Sequence, residues 1–164
     1  MMPRRAEMEI EARRLAAAWF ALAEAGDLAG LARALQVGKW RIEAAREVMR
    51  QAGERYAAFQ LVLVEGLGSP RPRLRFECAH ALDIFGDATT RAPLAALMSD
   101  AVPRVRWMAM HALSCHACGD KPDAIEFAVH ARITQAAALD PSPAVRRQAK
   151  VALVLADKGV RPAL

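Results

Sequence analysis

The apolar residues of this chain recur mostly three or four positions apart, the spacing that places them on one side of an α-helix. Short segments with glycine, proline or aspartate interrupt the pattern and mark turns. The stretch 54–65 has enough β-branched and aromatic residues to suit a strand, but its place before a repeated motif favours a helix. The pattern predicts helices at about 5–25, 27–36, 39–51, 54–66, 72–85, 90–98, 103–117, 123–138 and 143–157.

One motif occurs three times. The stretch Pro103–Leu113 has near copies at Pro72–Leu82 and Pro143–Leu153, and every copy begins with proline, has arginine at its fourth position and ends with alanine and leucine. Because a further predicted helix precedes each copy, the chain is predicted to be an all-α array of helix pairs. We expect a single domain over 1–164: capping helices and a degenerate repeat in 1–53, with 27–52 as the degenerate pair, then repeats at 54–86, 87–119 and 120–158.

The fuller pattern Asp-x-x-Pro-x-Val-Arg-x-x-Ala-x-x-x-Leu, met by Asp100–Leu113 and Asp140–Leu153, resembles the HEAT repeat. Its short period is similar to that of the phycobilin-lyase subgroup, and the first copy has Ser69 in place of the aspartate. The resemblance implies an α-solenoid, a superhelix of stacked antiparallel helix pairs in which the second helix of each pair lines a concave groove. HEAT folds serve import receptors, scaffolds, lyases, DNA glycosylases and di-iron hydroxylases, so the function has to be argued from a site.

The repeated motif divides into residues for the fold and residues for a surface. On a helix, Val105, Ala109, Ala112, Leu113 and His116 fall within one stripe, which is the predicted core face. Cys78 occupies the position of an alanine in the other two copies, so we expect it to be a small core residue. Asp100 and Asp140 lie in turns, where they can accept backbone N–H bonds and pair with an arginine of an adjacent repeat. This predicts a structural ladder that includes Arg75, Arg106 and Arg146.

A second set of residues lies opposite the core stripe on the motif helices. Arg104, Trp107, His111, Ser114, Cys115 and Cys118 belong to it, and neighbouring repeats supply equivalent positions, including a parallel row of Glu77, Met108 and Gln148. Exposed aromatic rings beside arginines are typical of binding hot spots. The alternative is that the N-terminal helices cover Phe76 and Trp107. The predicted binding surface, called the groove face below, consists of Arg73, Phe76, His80, Arg104, Trp107, His111 and Arg147.

The spacing of His111, Cys115 and Cys118 suggests a metal site, because these residues share one helix face. His80 from the neighbouring repeat is the candidate fourth ligand of a Cys2His2 set. A regular helix, however, holds residues i and i+7 about 10 Å apart, so thiols without a metal are the favoured interpretation and no cofactor is expected. A redox role for the Cys-x-x-Cys pair is disfavoured because it follows a helix C-terminus, where the helix dipole opposes thiolate formation.

The composition limits the class of protein, its cellular environment and the charge of its partners. A chain of 164 residues that is 54% hydrophobic and 25% charged can bury a core without disulfides. Three cysteines do not make a secreted disulfide framework, so we expect a reducing cytoplasm. The apolar stretch 15–23 follows acidic Glu7, Glu9 and Glu11, which argues against a signal peptide, and it is too short to cross a membrane. The net charge of +5 arises after residue 37 and permits an acidic partner.

These features favour a non-enzymatic scaffold that binds a protein or peptide on its concave face. The alternative is a nucleic-acid-binding protein, resembling a DNA glycosylase, that stacks a base on Trp107 with Glu77 or Asp83 as the carboxylate. The hydroxylases of the HEAT fold carry His-Glu directly after the motif arginine. Those positions hold Phe76-Glu77, Trp107-Met108 and Arg147-Gln148 here, so the resemblance implies no di-iron site. The oligomeric state is left open.

Overall fold

In the computed structural model, the described residues are 5–36, 41–51, 53–115 and 127–157, and their regular structure is entirely helical. Two 3-10 turns, Ala88–Thr90 and Leu97–Ser99, flank the sixth helix. The all-α prediction is confirmed. The helices are α1 Arg5–Glu24, α2 Leu28–Ala34, α3 Arg41–Arg50, α4 Glu54–Gly66, α5 Pro72–Phe85, α6 Arg91–Ala96, α7 Pro103–Ser114, α8 Phe127–Leu139 and α9 Pro143–Asp157.

The motif prolines fix where the second helix of each pair begins. Pro72, Pro103 and Pro143 are the first residues of α5, α7 and α9. Proline suits this position because its φ angle is already helical and a first-turn N–H has no partner within the helix. Asp27 begins α2 in another way, since its Oδ1 accepts a hydrogen bond from the Gly30 amide at 2.8 Å.

Consecutive helices pair and the pairs stack, as an α-solenoid requires. Helix α4 packs on α5, α6 on α7, and α8 on α9. The second helices also pack on one another in the order α5, α7, α9. The small residues Ala79, Ala109 and Ala149 are fully buried on these helices, which lets neighbouring helices approach closely.

An aromatic cluster joins the N-terminal region to the repeats. Phe59 on α4 contacts Phe20 of α1 and Phe85 of α5 edge to face, with ring centroids 5.5 and 5.2 Å apart. Trp19 of α1 meets Phe85 at 6.2 Å in the same geometry. Edge-to-face contacts of this kind stabilise the fold beyond what the burial of the ring surfaces contributes. Helix α1 therefore closes the N-terminal end of the core.

The N-terminal pairing differs from the predicted degenerate pair at 27–52. The principal partner of α3 is α1, whereas α2 packs on α1, α4 and α5. Helix α2 contains only 7 residues, which is too short to cover a neighbour along its length. The longer α1 takes that role instead.

Two predicted helices were too long or too regular. Helix α7 ends at Ser114, because Cys115 has the extended backbone angles φ −76° and ψ 110°. The predicted helix at 90–98 is a short α-helix between 3-10 turns. Pro93 lacks an amide hydrogen and is compatible only with a first turn, which is where α6 holds it. The predicted start of the eighth helix, 123–126, lies outside the described residues.

Within the described ranges, no helix has both the length and the apolar character that a bilayer crossing would need.

Candidate functional site

The predicted arginine ladder is present between the first two repeats. Arg75 on α5 donates Nε and Nη2 to the carboxylate of Asp100 at 2.7 and 2.9 Å, and Nη1 to the carbonyl of Ser69 at 2.8 Å. The Asp100 carboxylate also accepts the amide of Val102 at 2.8 Å. These hydrogen bonds hold the pKa of Asp100 below its usual value despite partial burial, and those from the Arg75 guanidinium have the largest effect.

The same arrangement joins the next two repeats. Arg106 on α7 donates to both Asp140 oxygens at 2.7 and 2.8 Å and to the carbonyls of Asp100 and Ala101 at 2.8 and 3.2 Å. The Asp140 pKa is lowered, chiefly by the Arg106 hydrogen bonds. Bidentate pairs of this kind fix orientation as well as distance. The ladder therefore sets the register between repeats.

Arg146 on α9 holds the equivalent position at the end of the described array. Its Nη1 donates to the carbonyls of Asp140 and Pro141 at 2.6 and 3.2 Å. Within the described ranges no carboxylate forms the bidentate pair with Arg146 that its two counterparts have. This arginine therefore serves as a natural control for the pairs formed by Arg75 and Arg106.

The groove face is centred on two aromatic rings and one arginine. The Arg104 guanidinium carbon lies 4.4 Å from the centroid of the Phe76 ring, a cation–π distance. The Trp107 ring stacks on His111, with centroids 5.4 Å apart and planes 3° from parallel. Phe76 and Trp107 both pack partly against the core, so the rings are neither fully exposed nor fully covered.

These rings line clefts that open to solvent. A cleft of about 480 Å³ is lined by Phe76, Pro103, Arg104, Trp107, Ser142 and Ala144. Phe76 and Arg104 also line a neighbouring cleft of about 510 Å³, which Arg73 and Gln36 share. The two clefts place parts of α5, α7 and the start of α9 on one continuous surface.

The remaining residues of the groove face have different surroundings. Arg73 is exposed and donates Nε to Glu77 Oε1 at 2.8 Å, and Arg147 is exposed on α9.

Three positions assigned to the same side of the helices are instead buried: Glu77, Met108 and Ser114. The Ser114 hydroxyl donates to the Met110 carbonyl at 2.7 Å, so its polar group is satisfied inside the helix. The assignment of Met108 and Ser114 to the surface was wrong. Helix α7 packs between α5 and α9, and Met108 lies only about 40° from Ala112 around the helix, beside the core stripe.

The structure brings together Asp83, His111 and Cys115. One ligand atom from each residue lies within 4.8 Å of the other two, and His111 Nε2 is 3.4 Å from Asp83 Oδ2. Asp83 is buried, whereas His111 and Cys115 are partly exposed. Hydrogen bonding to Asp83 and then to Cys115 raises the pKa of His111 to about 9. Sequence reasoning named Asp83 only as a possible carboxylate near Trp107 and missed its contact with His111.

His80, the candidate fourth ligand of the Cys2His2 set, does not belong to this group of ligand atoms. His80 Nδ1 lies 3.2 Å from Gln36 Nε2, so this imidazole faces the segment that follows α2. Asp83, one turn later on α5, takes the place beside His111. Cys118 and His116 lie outside the described residues. Cys78 is a core residue as predicted, and burial, reinforced by the Glu77 charge, raises the pKa of its thiol to about 12.

The stacked helix pairs and their ladder define an α-solenoid. A family model described as HEAT repeats matches residues 60–153, more than half of the chain, and the chain therefore belongs to the HEAT repeat family. Membership of the phycobilin-lyase subgroup stays a prediction. No curated protein and no solved structure matches the chain significantly.

Proposed function

We propose that this protein is a non-enzymatic HEAT module that binds an acidic peptide or protein segment on its groove face. The observation that carries this proposal is the cleft in which Phe76, Arg104 and Trp107 meet. Solenoids of this kind use the extended surface of their stacked second helices for binding. Apolar rings flanked by arginines supply both contact area and charge selectivity.

The charges of the groove face indicate the partner's chemistry. Arg104 and Arg147 are exposed, whereas the Arg73 guanidinium is already paired with Glu77. The partner segment would place an apolar side chain in the cleft beside Trp107 and a carboxylate within reach of Arg104. Because the planar guanidinium donates two parallel hydrogen bonds, it prefers a carboxylate in this position.

Nucleic-acid binding fits these residues less well. Tracking a phosphate backbone requires many cations along a groove, and Arg73 is engaged by Glu77. The carboxylates expected to support base chemistry also have partners, because Glu77 accepts from Arg73 and Asp83 lies against His111. The peptide proposal is therefore preferred.

A random peptide display library, selected on the wild-type protein, tests the proposal. We expect the selected peptides to combine acidic residues with an aromatic or large aliphatic residue. Trp107→Ala should weaken a selected peptide about thirtyfold, the loss typical of a central hot spot, as measured by fluorescence anisotropy. Arg104→Glu should weaken the binding of acidic peptides more than Trp107→Ala does, because it reverses the charge that faces them.

Leu61→Ala is the matched control, because Leu61 is an exposed apolar residue on α4, away from the clefts. Equal binding of the selected peptides to wild type and to Trp107→Ala would refute the assigned face. Micromolar binding of a short single strand or duplex, weakening steeply with salt, would favour the nucleic-acid alternative instead.

A further inference from the structure

A compact group of metal-ligating side chains lies between α5 and α7. Asp83 comes from the last turn of α5, His111 from the last turn of α7, and Cys115 directly follows α7. The carboxylate oxygen, imidazole nitrogen and sulfur lie within 4.8 Å of one another. The repeated motif does not explain this group, because the second helix of the last repeat has Val151 at the position of His111.

The triangular arrangement distinguishes a metal site from a catalytic relay. A relay places the imidazole between thiol and carboxylate, with one hydrogen bond to each ring nitrogen. Two hydrogen bonds of about 3 Å and the width of the ring then separate sulfur from oxygen by roughly 7 Å. Here sulfur and oxygen lie within 4.8 Å of each other, beside the same imidazole. Three ligand atoms this close to one another can share a single ion.

We propose that Asp83, His111 and Cys115 bind one divalent transition-metal ion, with zinc as the natural occupant. Carboxylate, imidazole and thiolate are the ligands that zinc uses, at about 2.0–2.3 Å from the ion. Tetrahedral ligand atoms are then roughly 3.5 Å apart, so the three side chains need to close by only about 1 Å. Three protein ligands leave a fourth position for water or for a group of a bound partner.

The surroundings hold the ligands in place. Trp107 stacks on the His111 ring and fixes its plane. The Cys115 amide donates to the His111 carbonyl at 2.8 Å, which ties the cysteine backbone to the histidine. Asp83 is only 3% exposed, so its carboxylate cannot turn into solvent. A cation at this site would also compensate the burial of that carboxylate. The partly exposed His111 and Cys115 leave a route by which an ion can enter.

Cobalt titration of a single-cysteine protein tests the site directly. The chain has three cysteines, so Cys78→Ala combined with Cys118→Ser leaves Cys115 as the sole thiol. Cys78→Ala is conservative, because the equivalent residues Ala109 and Ala149 are alanines in the same packed position. The metal-free protein is titrated with Co²⁺ at mildly alkaline pH, since both imidazole and thiol must be deprotonated to bind the ion.

We expect one equivalent of Co²⁺ to bind, with a thiolate-to-cobalt charge-transfer band in the near ultraviolet, and one equivalent of Zn²⁺ to displace it. Cys115→Ser in the full chain should remove the band. Asp83→Asn and His111→Gln should each weaken binding at least tenfold, the loss seen even when an outer-shell partner is removed. Far-ultraviolet circular dichroism verifies that each variant retains its helices.

Absence of the band in the folded single-cysteine protein at micromolar Co²⁺ would overturn the proposal, as would a band that survives Cys115→Ser. Binding unaffected by both Asp83→Asn and His111→Gln would show an adventitious thiol complex and would equally overturn it. The test does not depend on the peptide-binding proposal, because it uses the metal alone as the probe.

Discussion

Replacing Arg106 by glutamine tests whether the ladder between repeats holds the solenoid together. The guanidinium and the Asp140 carboxylate are largely buried, with 10% and 7% of their side chains exposed. Glutamine keeps part of the aliphatic stem but removes the charge and both bonds to Asp140. The carboxylate would then keep the Ser142 amide as its hydrogen-bond partner at 2.8 Å.

Removing one partner of a buried pair costs about 3–5 kcal/mol, because the other charge stays buried without compensation. The Ser142 hydrogen bond and the nearby charge of Arg146 moderate that cost. We therefore expect Arg106→Gln to lower the free energy of unfolding by about 3 kcal/mol. Arg146→Gln is the matched control and should cost about 1 kcal/mol, because among the described residues this arginine donates to two backbone carbonyls and to no carboxylate.

The assay is urea unfolding followed by far-ultraviolet circular dichroism, with the slope of the transition compared among variants because repeat arrays can lose cooperativity. Arg106→Gln combined with Asp140→Asn completes a double-mutant cycle. The coupling free energy should be about 1–2 kcal/mol if the two side chains act as a pair.

Equal losses for Arg106→Gln and Arg146→Gln would refute this reasoning. So would a coupling free energy below about 0.5 kcal/mol, the level expected for independent sites. Either result would mean that the repeats are held by their apolar surfaces alone.

Two further predictions follow from the packing and the charges. The pKa values of Asp100 and Asp140 are lowered on folding, so their contribution to stability is complete above about pH 4 and is lost as pH falls through the lowered values. The free energy of unfolding, measured with urea, should therefore fall steeply below about pH 4. Arg106→Gln should make this fall shallower, and an unchanged pH dependence in the variant would contradict the role given to the Arg106–Asp140 pair. A Cβ on Gly66 would collide with Cys78 Sγ, so Gly66→Ala should cost about 1–3 kcal/mol. Cys78→Ala should restore much of that loss in a double variant, and no rescue would locate the strain elsewhere.

The repeated motif allowed much of the fold to be predicted. Pro103, Arg106 and Asp140 have roles set by local geometry: a helix start, a side-chain direction fixed by helical spacing, and a turn that caps the next helix. The bounds of α4, α5 and α9 match those predicted from the pattern. The repeated motif gives several independent indications of the same local structure within one sequence.

The surface was harder to predict than the core stripe. A helical projection places Ser114 opposite the core, but it cannot show that α5 and α9 pack against α7 on its two flanks. Ser114 is consequently buried, whereas Phe76 and Trp107 retain access to the cleft.

The sequence by itself determined that this protein is a HEAT array, because helix period, proline starts and arginine–aspartate spacing are local properties repeated along the chain. Only the tertiary structure decided which residue meets His111. His80 and Asp83 lie one turn apart on α5, and their spacing suits either of them to face the next repeat. The stagger between α5 and α7 brings Asp83 to His111 and directs His80 toward Gln36. That stagger depends on side chains of both helices and their neighbours, so no single segment of sequence contains it.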